Sequence, residues 1–266
     1  MDFSHFETRS CPAVLWYDLA ADGRHDEPAV IFVKKAIPAG GRDDATDLVV
    51  VSGALVQRDA EARAVRLSAR YVGPVLRIAV CRVGRDDDTG PDTVSPALLA
   101  AFDAVFMVGP SDSAQFVRRL VRALTVPDDS PAWIGCEWRD VRHVVAAAGT
   151  PRRARYGFGT STAADAGAGR ADAACAAAIA QLEPHCGGAT GVCVVVTTAG
   201  PALPGKEALD VIIRLRTFLP PSITITQCIG CDDTLAPGTL DVSVFAFGTD
   251  ALDVSTSTHH QETTCT

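Results

Sequence analysis

Short apolar runs rich in valine and isoleucine alternate with helical stretches along the first half of this chain, and this alternation constrains the fold most strongly. The predicted strands are Ala13–Tyr17, Ala29–Val33, Asp47–Ser52, Val75–Val80 and Ala104–Val108. Between the third and fourth strands, charged and apolar residues interleave in a predicted helix that ends at Gly73. Strand, helix and strand in repeated succession predict an α/β fold with a parallel, wound sheet.

Two further helices are expected after the fifth strand. A polar loop spans Arg85 to Pro96, and the first helix starts at Ser111 as its N-cap and is expected to end at Pro127. Its apolar residues recur at helical spacing up to Leu124. The second helix runs from about Arg139 to Ala148 and stops at a glycine.

The second half of the chain has the order β-α-β-α-β-β, which predicts a compact α/β module. Its predicted elements are Ala154–Phe158, Gly169–Leu182, Gly191–Thr197, Lys206–Phe218, Ser222–Ile229 and Leu240–Phe247. After Leu252 the chain is polar and aperiodic, so residues 251–266 are predicted to form a disordered tail.

Charge and hydropathy narrow the classes of partner. The chain has 266 residues and a formal net charge of −8, which argues against nucleic acid or an anionic membrane as the primary partner. No apolar run approaches the ~18–20 residues of a membrane-spanning helix, so direct membrane insertion is not expected. The first residues lack a secretory pattern, which predicts a cytoplasmic location.

Four consecutive segments of the second half carry a family resemblance. They are WRDVRHVVAAAG from Trp138, RYGFGTSTAADAGAGRADAACAAAI, TGVCVVVTTAG and TITQCIGCDDTLAPGTLDVSVFAFG. In order, spacing and loop length they resemble the C-terminal domain of the bacterial cell-division protein FtsZ, a relative of tubulin. The resemblance implies an FtsZ/tubulin-like α/β fold.

The first half resembles the GTPase domain of that family through DLVVVSGALV, VLRIAVCRVG, AFDAVFMVGP and the helix segment FVRRLVRAL. The resemblance implies a trimmed, degenerate GTPase-like domain over residues 1–126, with a central helix at about 111–124. Residues 127–149 then form a synergy-loop-like segment with its following helix. Residues 150–250 form the smaller C-terminal domain.

The glycine-rich nucleotide loops of the family are missing. Where a GGGTGTG loop is expected after Gly53, the chain has Ala54 and then LVQRDAEA, which introduces Asp59 and Glu61. Carboxylates close to a triphosphate repel it by several kcal/mol. We therefore predict that these four residues mark a degenerate nucleotide loop, that no nucleotide or other cofactor binds, and that the chain is a pseudo-GTPase and not an enzyme. Hydrolysis on a partner's nucleotide stays open.

The family's synergy loop, which docks onto the nucleotide of the neighbouring subunit, corresponds to GCEWRD. The resemblance implies a partner interface made of Cys136, Glu137, Trp138, Asp140 and Arg142. The two carboxylates lie three residues apart at a helix start, where the helix dipole stabilises them. Two ordinary alternatives are that these carboxylates only cap the helix and that the arginine only pairs with a carboxylate or covers apolar surface.

Three functions remain open at this stage. The first is a non-catalytic protein that binds or caps filaments of FtsZ, or a related protein, through the synergy-loop-like face. The second is a scaffold that assembles with itself without nucleotide, with contacts at Arg85–Pro96 and Trp133. The third is a divergent GTP-dependent polymerising GTPase.

No metal site is expected. Cys228 and Cys231 form a single CxxC at the end of a predicted strand, and a zinc site of four thiolates needs a second pair. His259, His260 and Cys265 lie in the polar tail and are interpreted as solvated.

Overall fold

The fold is described from a computed structural model that covers most of the chain. The described residues are 14–19, 29–32, 47–83, 94–109, 113–129, 138–149, 152–162, 169–182, 188–199, 205–232 and 234–248. Several predicted features lie outside them: the tail with its two histidines, the loop 85–93, Ser111, Trp133, Cys136 and Glu137. Within these ranges, no helix has the length and apolar character needed to cross a membrane.

In the part of the chain that the structure describes, nine strands form a single sheet in the order β2-β1-β3-β4-β5-β6-β9-β7-β8. Their bounds are Val14–Leu19 (β1), Ala29–Phe32 (β2), Leu48–Gly53 (β3), Leu76–Arg82 (β4), Ala104–Val108 (β5), Arg153–Thr162 (β6), Gly191–Thr198 (β7), Thr224–Cys231 (β8) and Thr239–Phe247 (β9). Five neighbouring strands run parallel to one another: β1, β3, β4, β5 and β6. β7 is parallel to β8, whereas β9 is antiparallel to both of its neighbours, β6 and β7. The sheet is therefore continuous through both halves of the chain.

Helices cover both faces of this sheet. They are Arg58–Ser68 (α1), Pro96–Ala101 (α2), Ser113–Asp129 (α3), Trp138–Ala147 (α4), Arg170–Leu182 (α5) and Gly205–Phe218 (α6). α3 and α4 pack on one face in a core that contains residues of both halves. The opposite face carries α1 and α2 over the first half and α5 and α6 over the second. Because both faces are covered, all six residues of β3 are buried.

The second half has the predicted order of elements, and its strands differ from the prediction in length. β6 continues to Thr162, four residues beyond the predicted end, because its whole length pairs with β9. Gly157 and Gly159 lie where β6 meets α5, and a Cβ on them would lie 2.0 and 1.7 Å from the carbonyl oxygens of Ala178 and Ala174. The glycines therefore set a very close approach of helix and strand.

The predicted all-parallel sheet of the first half is wrong at one edge. β2 pairs antiparallel with β1, through Leu15 opposite Val30 and Trp16 opposite Ala29. Antiparallel neighbours can be joined without a helical crossover, whereas parallel neighbours need one. An antiparallel strand can therefore be added at the edge of an otherwise parallel sheet.

Three helix bounds also differ from the predictions. α1 ends at Ser68 and not at Gly73, because the chain passes into tight turns in which the Arg70 and Tyr71 N–H groups bond to the Leu67 and Ser68 carbonyl oxygens, both at 3.1 Å. Tyr71 is buried there, and its hydroxyl hydrogen-bonds to that of Tyr17. α2 is not among the predicted elements, and only its first residue, Pro96, falls at the end of the predicted loop. Ser95 nevertheless accepts a hydrogen bond from the Leu98 N–H as a regular N-cap. α3 continues through Pro127 to its end at Asp129, so the proline does not end the helix at the predicted position.

Candidate functional site

The carboxyl edge of the parallel strands is where wound α/β sheets bind their ligands. Here the buried Ser52, at the end of β3, accepts a hydrogen bond from Trp16 Nε1 at 2.8 Å and donates one to the exposed Asp18 Oδ1 at 2.9 Å. Arg82, at the end of β4, donates to the Leu19 carbonyl oxygen at 3.5 Å. The edge therefore holds a carboxylate, a hydroxyl and a guanidinium in fixed positions.

The loop between β3 and α1 is short and packed. A Cβ on Gly53 would lie 2.8 Å from the Leu19 carbonyl oxygen, so this position needs glycine. Ala54 accepts a hydrogen bond from the Gln57 N–H at 2.9 Å, which closes a tight turn. Leu55 within the turn is fully buried. The predicted degenerate loop is thus a compact turn filled by an apolar side chain.

The two acidic residues of this region have different environments. Asp59 is exposed in the first turn of α1, where the helix dipole favours a negative charge. Glu61 is half-buried, and its Oε1 accepts a hydrogen bond of 2.6 Å from the Ser95 hydroxyl. Since Ser95 caps α2, Glu61 ties α1 to α2, a role that the sequence does not indicate.

Cys81 lies near the same edge of the sheet, on β4. Its thiol is buried, and burial followed by the negative charge of Glu61 raises its pKa to about 12. A thiol in this state is protonated at neutral pH, so it is not a nucleophile.

At the start of α4, the structure places three of the five residues predicted for the partner interface. Trp138 is half-buried and packs against the core, and its buried Nε1 has no hydrogen-bond partner among the described residues. Asp140 is half-buried in the first turn of the helix. Arg142 donates from Nη1 to the Pro74 carbonyl oxygen at 2.6 Å, so it links α4 to the loop before β4.

A second polar region joins α3 to the C-terminal strands, and the sequence reasoning missed it. Arg119 bonds to Asp241 at 2.5 Å, and its guanidinium carbon lies 4.1 Å from the centre of the Phe158 ring. Burial lowers the pKa of Arg119, and Asp241 opposes that change. Arg122 pairs with Asp232. Two arginines three residues apart in a helix are a usable signal for such a contact, because they lie on one helix face.

The cleft at these ion pairs has a volume of about 310 Å³, and its polar lining includes the hydroxyls of Thr160, Thr197 and Ser243. Cys228 and Cys231 on β8 are buried and form no disulfide. The described residues contain no cluster of His, Cys, Asp and Glu that could hold a metal ion.

Solved structures share this architecture. A mutant of FtsZ from M. jannaschii superposes with a TM-score of 0.59 and 19% identity, over 77% of this chain and 66% of that one. TubZ of type III plasmid segregation superposes with a TM-score of 0.53 and 11% identity, over 79% and 66% of the two chains. TubZ from Bacillus thuringiensis serovar israelensis, solved as GDP-form protofilaments, superposes with a TM-score of 0.53 and 11% identity. The match covers 79% of this chain and 64% of that one.

The chain has an FtsZ/tubulin-like fold. It spans about two thirds or less of the length of these FtsZ and TubZ structures, and at these identities the likeness establishes the fold alone. No protein-family model matches the sequence, and the search of curated proteins found no match.

These neighbours contradict the prediction of a pseudo-GTPase that is not an enzyme. The solved structures that share this fold include FtsZ and a TubZ solved in its GDP form, so the fold itself does not indicate a lost nucleotide site. The prediction failed because it treated a missing glycine motif as evidence against the activity. Backbone N–H groups in a suitable geometry bind phosphate, and a glycine-rich motif is only one way to provide that geometry.

Proposed function

We propose that this chain is a self-assembling protein of the FtsZ/TubZ type, which associates head to tail through the first turn of α4. The observation that carries the proposal is the fold itself, in which neighbours of the same architecture include a TubZ solved as protofilaments. The partner is a second copy of this chain or an FtsZ-like filament.

Two side chains at the start of α4, those of Trp138 and Asp140, support this choice of interface. Trp138 presents a large, partly exposed ring with a buried indole N–H that lacks a partner among the described residues. Tryptophan is enriched among the residues that contribute most to protein interfaces. Asp140 lies in the same helical turn as Trp138 and is half-buried. Its negative charge favours a partner surface that carries a positive charge at the matching position.

Assembly is testable by sedimentation and electron microscopy of the purified chain with GTP, with GDP and without nucleotide. We expect concentration-dependent filaments or oligomers, and we expect Asp140→Ala to reduce the sedimented fraction. Asp172→Ala is the matched control, because Asp172 is an acidic residue in the first turn of α5. A monomer under all conditions would contradict self-assembly, and an equal effect of the two variants would contradict the proposed face.

The same variants separate self-assembly from binding to another filament. If the partner is an FtsZ-like filament, substoichiometric amounts of this chain will shorten filaments of a purified FtsZ, and Asp140→Ala will weaken that effect. If the partner is a second copy, the chain will form filaments alone and leave FtsZ filaments unchanged.

A second candidate function is GTP-dependent assembly with hydrolysis. It is favoured by the TubZ neighbour solved in its GDP form and by the polar groups at the carboxyl edge of the sheet, Asp18, Ser52 and Arg82. Calorimetric titration with GTP and magnesium, together with phosphate release, tests it. We expect saturable binding, and we expect Asp140→Ala to lower turnover with little change in nucleotide affinity, since the family resemblance places this carboxylate on the neighbouring subunit's nucleotide.

The cellular setting stays a prediction. Bacterial cell division, a cytoplasmic location and the lack of a nucleic-acid partner were inferred from the sequence and its resemblance to FtsZ. One neighbour is a plasmid-segregation protein. Proteins with this fold therefore take part in cell division and in plasmid segregation.

A further inference from the structure

A cleft of about 390 Å³ opens at the amino edge of the sheet, where β4 and β5 begin and the end of α4 lies beside them. Three arginines line it: Arg77 on β4, Arg142 on α4 and Arg152 just before β6. Asp103 is the only carboxylate among the described residues that line the cleft. The side chains around it therefore carry an excess of positive charge.

Asp103 holds two of the three guanidinium groups in place. It accepts hydrogen bonds from Arg77 Nε at 3.2 Å and Nη2 at 3.1 Å, and from Arg152 Nη1 at 3.3 Å. Arg142 is fixed by its bond to the Pro74 carbonyl oxygen. A guanidinium has five N–H donors, so each arginine has donors beyond those used in these bonds.

The surroundings strengthen the field of these arginines. The side chains of Arg77 and Arg152 are only 27% and 33% exposed, and the apolar residues Leu76 and Val145 in the cleft wall are buried. Charges act more strongly on a ligand at such a partly desolvated position than they do in water. The carbonyl groups at the end of α4 act in the opposite direction, but a helix terminus carries only about half a charge.

We propose that this cleft binds an oxyanion, the phosphate or carboxylate group of a small molecule, through Arg77, Arg142 and Arg152. Planar guanidinium groups with paired N–H donors match the oxygen atoms of both groups. The volume of the cleft leaves room for a ligand larger than a single phosphate. The site lies at the edge opposite Ser52 and Gly53 and does not depend on the proposed assembly.

Calorimetry and thermal unfolding with inorganic phosphate, pyrophosphate and citrate test the site, each against sodium chloride of equal ionic strength. We expect saturable binding of at least one of these anions. Arg142→Gln should weaken it about ten-fold, because it removes a charged donor. Arg142→Lys keeps the charge and should weaken it less, and Arg139→Gln, three residues earlier on the exposed side of α4, should leave it unchanged.

Stronger binding of pyrophosphate than of citrate would identify the ligand class as phosphates, and the reverse order would identify it as carboxylates. Two results would overturn the proposal: a response to all anions no larger than that to chloride, or equal affinities of wild type and Arg142→Gln. Circular dichroism establishes that each variant is folded, and if Arg142→Gln does not fold, the comparison of Arg142→Lys with Arg139→Gln decides.

Discussion

Gly159 shows how one residue sets the distance between two elements. Its missing side chain lets the backbone of α5 approach β6 so closely that a Cβ would overlap the Ala174 carbonyl oxygen. We expect Gly159→Ala to lower the free energy of unfolding by about 3 kcal/mol, because helix and strand must separate. Equilibrium urea unfolding measures this change.

Gly169→Ala is the control for that substitution. A Cβ there would lie 4.0 Å from the Cβ of Asp172, an ordinary van der Waals distance, so we expect the free energy of unfolding to change by no more than about 0.5 kcal/mol. Similar losses in both variants would show that the close approach of helix and strand at Gly159 does not cause the effect.

The buried thiol of Cys81 makes stability depend on pH in the alkaline range. The ordinary pKa of a thiol is 9.0, and in the folded chain it is raised to about 12. Between these values the unfolded chain loses a proton that the folded chain keeps, so the free energy of unfolding falls as pH rises above 9. The slope from this group is at most about 1.4 kcal/mol per pH unit.

Urea unfolding at several pH values under reducing conditions checks this, with Cys81→Ala compared with wild type. The variant should lose stability less steeply above pH 9, since it lacks the titrating group. Parallel curves for the two proteins would show that the thiol titrates alike in the folded and unfolded states. Cys175, whose pKa burial raises to about 11, acts in the same direction in both proteins.

At the scale of elements, ion pairs hold α3 to the C-terminal strands. Arg119 and Asp241 have side chains that are only 25% and 14% exposed. We expect Asp241→Ala to lower the free energy of unfolding by about 2 kcal/mol, because it leaves Arg119 partly buried without its carboxylate partner. Thermal unfolding of Asp241→Ala, Arg119→Met and the double variant measures the coupling between the two residues.

The exposed pair of Arg214 and Asp172, which joins α5 and α6, is the comparison for this experiment. Its side chains are 45% and 65% exposed, so Asp172→Ala should cost about 0.5 kcal/mol or less. If Asp241→Ala and Asp172→Ala lower the free energy of unfolding equally, burial does not strengthen the ion pair between α3 and β9.

At the scale of the whole molecule, one aromatic cluster joins the two halves. The Phe106 ring on β5 lies 5.2 Å from Phe116 on α3 and 6.1 Å from both Phe245 and Phe247 on β9, measured between centroids. Because β5 belongs to the first half and β9 to the second, we expect both halves to unfold in one cooperative transition.

Phe106→Ala tests this arrangement. We expect a loss of about 4 kcal/mol, as for other buried phenylalanines, with tryptophan fluorescence and far-UV circular dichroism still reporting one midpoint. Two separated transitions in the wild-type chain would show that the halves unfold independently in spite of their common sheet.

The sequence predicted most elements correctly because their local pattern matches their burial. β5 has the predicted bounds, and α4 ends as expected before Gly149, whose φ of 63° favours glycine. The errors occur where contacts distant in sequence decide the outcome. The bond between Tyr17 and Tyr71 accompanies the early end of α1, and pairing with β9 lengthens β6.

The sequence alone determined the class of fold and the family resemblance, because apolar periodicity and loop spacing are local properties of the chain. Only the tertiary structure decided which polar groups meet. Arg142 reaches Pro74, Glu61 reaches Ser95, and Arg119 reaches Asp241 across 122 positions of the chain. Such pairings depend on strand order and helix placement in space, which a sequence pattern does not encode at the level of a single residue.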